Sequence, residues 1–157
     1  MVLGEILKGT GASLDASAAS LEIKGITHDS RRVRPSYAFF ALSGRRVDGH
    51  SFAADAMKHG AAVCICERRI EGLPLTQVVL SNVRRALAFA AANFYGNPER
   101  RMKLIGVTGT NGKTSTAYML KTIFSHSGYE TALLGTAKGS IGDAAYTPPL
   151  RRTNTKP

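Results

Sequence analysis

Gly109, Thr110, Asn111, Gly112, Lys113, Thr114 and Ser115 form the run "GTNGKTS". A glycine-rich turn between a strand and a helix leaves several backbone N–H groups aimed at one point. The positive end of the helix adds to them, so a polyphosphate can be held there. Lys113 supplies a point charge for the terminal phosphates, and the Thr114 hydroxyl is a hard-oxygen ligand suited to Mg²⁺. Lys113 and Thr114 are the candidate catalytic residues, with Thr114 also the candidate metal ligand. The strict spacing of a phosphate loop would place glycine at 107, where this chain has Val107, so Gly109 and Gly112 must carry the tight backbone. Phosphoryl transfer further needs a carboxylate on the metal and a group that positions the nucleophile. No apolar strand ending in Asp or Glu follows Thr114: Glu130 precedes its strand and Asp143 lies in a predicted turn.

The surrounding pattern supplies elements that could position this loop. Apolar residues at 104–108 predict a strand leading into it. Tyr118, Leu120, Ile123 and Phe124 recur at helical spacing after it, Gly128 stops that helix, and "TALLGT" predicts another strand. Together these make one βαβ unit. The remainder, "AKGSIGDAAYTPPLRRTNTKP", is rich in Gly, Pro and Thr and predicts turns or an irregular hairpin. Upstream, Leu21, Ile23 and Ile26 predict a short strand ending in a polar turn, and "SYAFFALSG" predicts a buried strand closed by Gly44. A helix capped by Ser51, with Phe52, Ala56 and Met57 as its apolar stripe, then stops at Gly60 before a strand at 61–66. The grammar repeats with a strand at 76–80, a cap at Ser81 or Asn82, and a helix ended by Gly96 and Pro98. The charged run "NPERRMK" separates two self-consistent α/β segments.

Composition narrows the classes. At 43% hydrophobic, 157 residues can bury an ordinary core, which allows one domain or one domain plus part of another. No apolar run approaches the roughly 18 residues of a membrane span, so no membrane insertion is expected. The N-terminus lacks the apolar core of a signal peptide, and a cytoplasmic location is the default. Cys64 and Cys66 lie two apart in an apolar run, which suits two buried structural thiols rather than a redox pair or a zinc half-site. The net charge of +10 calls for polyanionic partners. Its basic pairs are scattered, at Arg31/Arg32, Arg45/Arg46, Arg68/Arg69, Arg84/Arg85, Arg100/Arg101 and Arg151/Arg152. With no Trp and 7% aromatics to stack on bases, nucleic acid is not expected as a partner.

"TGTNGKTSTAYML", taken with "ITHDSRRVRPSYAFFALSGRRVDGHSFAADAMKHGAAVCICE", resembles the Mur ligase family over nearly the whole chain, and most of all its tripeptide-forming branch. The resemblance implies an α/β fold with a small N-terminal uridine-nucleotide domain, residues 1–98. The first βαβ unit of a P-loop ATPase domain, residues 99–157, would follow. It implies ATP and Mg²⁺ as cofactors, with UDP-N-acetylmuramoyl-dipeptide and a diamino acid as substrates joined through an acyl phosphate. Gly109 through Ser115 would then hold ATP. His28 and Ser30, in "HDSR", and Arg45, Arg46 and Val47, in "SGRRVDGH", would face the uridine nucleotide. A hydroxyl such as Ser30 can bond a uracil edge or a phosphate, with Arg31 adding charge, and it can also simply cap a turn. Asp48 and His50 would shape the turn and the start of the next helix. The tail "RRTNTKP" aligns Asn154 and Thr155 with a segment that contacts the muramoyl-peptide, with Lys156 where a second Thr is usual.

The family's amino-acid domain has no counterpart in these residues, so the chain is expected to be a fragment without ligase activity by itself, and a monomer. Two other readings stay open. One is the last-acting branch of the family, which adds D-Ala-D-Ala; "GTNGKT" and "LLGT" count against it. The other is a non-catalytic nucleotide-binding module.

Overall fold

Four short parallel strands carry the first half of the chain, and their side chains alternate between two apolar layers. In the computed structural model, residues 1–44, 47–135, 139–142 and 144–146 are described. The chain divides into two compact units, Met1–Lys103 and Leu104–Pro157. The turn Pro98–Arg101 lies in the first.

In the first unit, β1 (Gly25–Thr27), β2 (Tyr37–Phe40), β3 (Ala61–Cys66) and β4 (Thr76–Val79) pair in sequence order, all parallel. Successive residues of a strand point to opposite faces. Ala38, Phe40, Val63 and Ile65 therefore pack on one face with Leu3, Ile6, Val83, Ala86 and Ala90. Phe39, Ala41, Cys64 and Cys66 pack on the other with Ala53 and Ala56. The first layer is covered by α1 (Leu3–Ile6) and α4 (Val83–Phe94), the second by α3 (Ala53–Lys58). Both thiols are free and buried, as their spacing implied. A hydrogen bond with the neighbouring Cys66 thiol, together with burial, pushes the Cys64 thiol well above the usual range.

Several local expectations shift. The N-terminal stretch contributes two single-turn helices, α1 and α2 (Ala16–Ala19), that the periodicity did not reveal because each is too short to show a stripe. Asn93 of α4 ties this stretch down by donating to the carbonyls of Ile6 and Lys8 at 3.0 and 2.9 Å. Ser51 does not cap α3. Its hydroxyl donates to the Asp48 carbonyl, and the helix is preceded by a 3₁₀ turn, Gly49–Phe52, whose cap is Asp48. The buried stripe is consequently Ala53 and Ala56, while Phe52 is 43% exposed. Of the two cap candidates for α4, Asn82 serves, accepting the Arg85 N–H at 2.8 Å.

In the second unit, α5 (Lys113–His126) forms as expected. Ala117, Leu120 and Phe124 are its half-buried apolar residues, and Phe124 meets Tyr129 edge-on with ring centroids 5.9 Å apart. The expected strand at 104–108 is not formed: these residues join no ladder, and Leu104 is 73% exposed. A strand exists only when its N–H and C=O groups meet a partner's. The "TALLGT" segment supplies β5 (Ala132–Leu133), but it pairs antiparallel with β6 (Gly139–Ile141), which pairs in turn with β7 (Ala144–Tyr146). The expected hairpin is thus present, and it takes the strand that the predicted βαβ unit would have placed beside 104–108.

Candidate functional site

In a parallel sheet all strands end on the same side, and ligands of open α/β folds gather at that carboxyl edge. Here β1 runs into His28, Asp29 and Ser30; β2 runs into the turn from Ser43 to Asp48; β3 runs into Glu67 and Arg68; β4 runs into the cap of α4. The two segments singled out in the first unit therefore leave neighbouring strands at the same edge.

Asp29 organises the first segment. Its carboxylate accepts the Arg31 backbone N–H at 3.1 Å, and its two oxygens accept the Arg31 guanidinium at 2.9 and 2.8 Å. Chiefly through those guanidinium bonds, the Asp29 carboxyl is lowered to about 2. This changes the expected role of Arg31, because its charge is already matched by Asp29 rather than offered to a ligand. His28 is exposed. Ser30 opens the 3₁₀ turn Ser30–Arg32, is only 6% exposed, and accepts the Val33 N–H through its carbonyl at 3.3 Å.

In the second segment the residues on either side of 45 and 46 form a braced stem. The Gly44 N–H donates to the Val47 carbonyl at 3.1 Å, and Ser43 and Asp48 form an antiparallel bridge. Val47 is exposed at the turn. Gly49 then folds against the end of β2, donating to the Leu42 carbonyl at 2.9 Å. A Cβ there would lie 2.6 Å from both the Leu42 nitrogen and oxygen, so only glycine fits.

His50 is buried, 7% exposed, with both ring nitrogens engaged. Nε2 accepts the Glu67 backbone N–H at 3.1 Å, so the ring proton sits on Nδ1, which donates to Asp48 at 2.6 Å. Asp48 also accepts the His50 backbone N–H and a guanidinium hydrogen bond from Arg68. Led by the His50 backbone bond, these contacts hold the Asp48 carboxyl far below the usual range. The Ser43 hydroxyl donates to the Glu67 carboxylate at 2.6 Å, and Arg84 donates to the Ser43 carbonyl at 3.4 Å. Asp48 and His50 thus shape the turn, as their sequence context suggested. Glu67 and Arg84 were not legible as partners, because they lie 24 and 41 residues from Ser43 in a strand end and a helix face without a motif.

The phosphate loop lies in the second unit. Gly109 and Gly112 adopt φ values of +151° and +74°, which side chains rarely take. Gly112 is the N-cap of α5, and no side chain caps that helix end. The first N–H groups of a 14-residue helix, with its positive dipole end, therefore face the loop. Apart from Gly112 itself and its two chain neighbours, nothing lies within 4 Å of the place a Gly112 Cβ would take, which leaves open approach to this backbone. Lys113 folds back, its amine donating to the Gly109 carbonyl and, at 3.2 Å, to that of Thr110. Thr110, Asn111, Thr114 and Ser115 are exposed around it. This cradle fits a polyphosphate. For Mg²⁺, Thr114 offers one exposed hydroxyl, and no group of three or more His, Cys, Asp or Glu gathers among the described residues. Such a donor set suits an ion carried largely by phosphate oxygens and water, not a protein cage.

Arg45, Arg46, Asn154, Thr155 and Lys156 lie outside the described residues. Among the described residues no helix is long and apolar enough to cross a membrane.

Comparison with known proteins accounts for both units. Residues 22–95 match the Mur ligase family, catalytic domain, and residues 107–156 match the Mur ligase middle domain. The UDP-N-acetylmuramoyl-L-alanyl-D-glutamate--2,6-diaminopimelate ligase of Clostridium tetani is 40% identical over 147 residues, covering 91% of this chain and 30% of that protein. A solved structure of a ligase of that name superposes with a TM-score of 0.70 at 26% identity, over 90% of this chain and 28% of its own. MurF of Thermotoga maritima, solved with ADP, gives a TM-score of 0.52 at 28% identity, over 71% of this chain and 25% of its own. The chain thus spans about 30% of the length of the curated relatives it matches. With an α/β first unit, a phosphate loop in the second, and both segments matched in order, the chain belongs to the Mur ligase family.

Proposed function

We propose that this chain carries the uridine-nucleotide and ATP-phosphate sites of an ATP-dependent ligase of peptidoglycan precursor synthesis. The ligase would add a diamino acid to UDP-N-acetylmuramoyl-L-Ala-D-Glu. The observation that carries this reading is the convergence of the Ser30 turn and the braced turn after β2 at one sheet edge, in a chain that resembles ligases named for that substrate. On this reading residues 1–98 are the UDP-sugar-binding domain and 99–157 begin the ATP-binding domain. His28, Ser30, Arg45, Arg46 and Val47 contact the uridine nucleotide. Asn154 and Thr155 meet the muramoyl-peptide. The protein acts in the cytoplasm as a monomer.

The chemistry explains why both sites belong to one enzyme. A carboxylate is a poor electrophile until one oxygen becomes a leaving group. Transfer of the γ-phosphoryl of ATP to the D-Glu carboxylate gives an acyl phosphate and ADP, and attack by the amine then forms the amide and releases phosphate. The backbone N–H groups at the start of α5 and the Lys113 amine hold the phosphates. Bound Mg²⁺ would supply charge neutralisation there, with Thr114 as its protein ligand.

Calorimetry with UDP on the 157-residue chain tests the site. Ser30→Ala and Arg45→Ala should each weaken binding by about fivefold or more, the value of a hydrogen bond to a charged or polar ligand group. Unchanged affinity removes those assignments. The likeness to MurF favours a second reading, addition of D-Ala-D-Ala to the tripeptide precursor. Amide formation by the whole protein with the UDP-muramoyl-dipeptide, and none with the tripeptide, decides between them.

A further inference from the structure

Glu67 touches both stems of the turn after β2. Its backbone N–H holds His50, and through His50 it holds Asp48, at the outgoing stem. Its carboxylate holds the Ser43 hydroxyl, at the incoming stem. Ser43 and Asp48 face each other across an antiparallel bridge whose hydrogen bonds run from Gly44 to Val47 and from Gly49 to Leu42, so Glu67 is bonded to both sides of that bridge. Among the described residues the Glu67 carboxylate forms no ion pair, although Arg68 bonds Asp48 and Arg84 bonds the Ser43 carbonyl on the two sides of the bridge. A carboxylate accepting a short O–H bond is one of the stronger neutral-to-charged contacts.

We propose that Glu67 is a positioning residue for the uridine-nucleotide site. By holding Ser43 it sets where Gly44 and Val47 stand at the carboxyl edge of the sheet. The proposal rests on the uridine reading of that turn. Glu67 acts through Ser43, not by contact with the ligand, and its negative charge would in any case oppose a direct contact with a diphosphate.

The two groups of Glu67 can be separated experimentally, because changing the side chain leaves the backbone bond to His50 in place. UDP affinity of the 157-residue chain is measured by calorimetry for Glu67→Ala, Ser43→Ala, the double variant and Glu67→Gln. Loss of the bond should weaken UDP binding by about three- to tenfold in each alanine variant. The double variant should be no weaker than either single one, since both remove the same bond. Glu67→Gln keeps an acceptor for the Ser43 hydroxyl and should bind within about twofold of wild type, a rescue that acceptor loss alone explains.

Hydrogen exchange supplies a readout independent of the ligand. The Gly44 amide, which closes the turn on Val47, should exchange faster in both alanine variants, while the Ala41 amide, bonded to Ile65 at 2.8 Å, should not change. Unchanged or tighter UDP binding in Glu67→Ala, additive losses in the double variant, or unaltered Gly44 exchange overturns the proposal. A wild-type chain that fails to bind UDP overturns the uridine reading instead, and the Gly44 exchange then still decides whether Glu67 anchors the turn.

Discussion

His50 donates from Nδ1 to Asp48 at 2.6 Å, a bond between two residues only two apart that locks the turn after β2 to the start of α3. The ring is buried, and its other nitrogen is filled by the Glu67 N–H. His50→Ala strands that N–H and frees Asp48, which should lower stability by about 2–3 kcal/mol in urea unfolding. A loss below about 0.5 kcal/mol, the level of an ordinary surface change, would show that the ring is dispensable.

Acid should weaken the first unit through Asp29 and Asp48. The Asp29 carboxyl is held at about 2 against an ordinary 3.8, chiefly by the Arg31 guanidinium. A folded-state value below the unfolded one stabilises fully above the unfolded value, and that contribution is lost as pH falls toward the folded value. The urea midpoint should therefore fall between pH 3.8 and about 2, and Asp29→Asn should flatten part of that fall. Because Arg31 is exposed, added salt should shrink the Asp29 share.

Backbone crowding at Gly49 makes a sharper test of packing. Gly49→Ala drives a methyl against the Leu42 nitrogen and oxygen, which are backbone atoms and cannot rotate away. The cost should be about 1–3 kcal/mol, as for other overpacked sites, measured by thermal or urea unfolding.

The cap of α4 is assigned to Asn82 and not Ser81. Asn82→Ala should destabilise by about 1 kcal/mol, the usual value of a side-chain N-cap, while Ser81→Ala should stay within about 0.5 kcal/mol.

At the phosphate loop, the Lys113 amine is bonded to the Gly109 and Thr110 carbonyls, and on the proposed function it exchanges those bonds for phosphate oxygens when nucleotide binds. Lys113→Ala should weaken MgATP binding to the whole protein by about tenfold or more. Titration with a fluorescent ATP analogue reads this directly, and an unchanged affinity would move the phosphate contacts to the backbone alone.

Much of the first unit was legible because its signals are local. The run Ala61–Cys66 is apolar, bounded by Gly60, and forms β3 with those limits. Gly96 and Pro98 end α4 as a glycine and a proline should. The glycines at 109 and 112 and the helix after them were legible for the same reason, since both signals are written within a few consecutive residues. The strand at 104–108 was misread because apolar content measures willingness to be buried, whereas a strand also needs a neighbour to bond with. Ser51 was misread as a cap because several oxygens compete within one turn, and Asp48 reaches the N–H of His50 first.

From the order of its residues alone, this chain declares an α/β fold, a glycine-rich loop ahead of a helix and two polar turns after strands, because periodicity and turn chemistry act over a few residues. Tertiary structure decided what those turns meet. Parallel pairing brings the end of β3 beside the end of β2, and so sets Glu67 against Ser43 across 24 residues of sequence. It also left His50 a buried brace with a defined proton, since the Glu67 N–H that fills its second ring nitrogen comes from 17 residues away, whereas the Asp29–Arg31 and Asp48–His50 pairs are local.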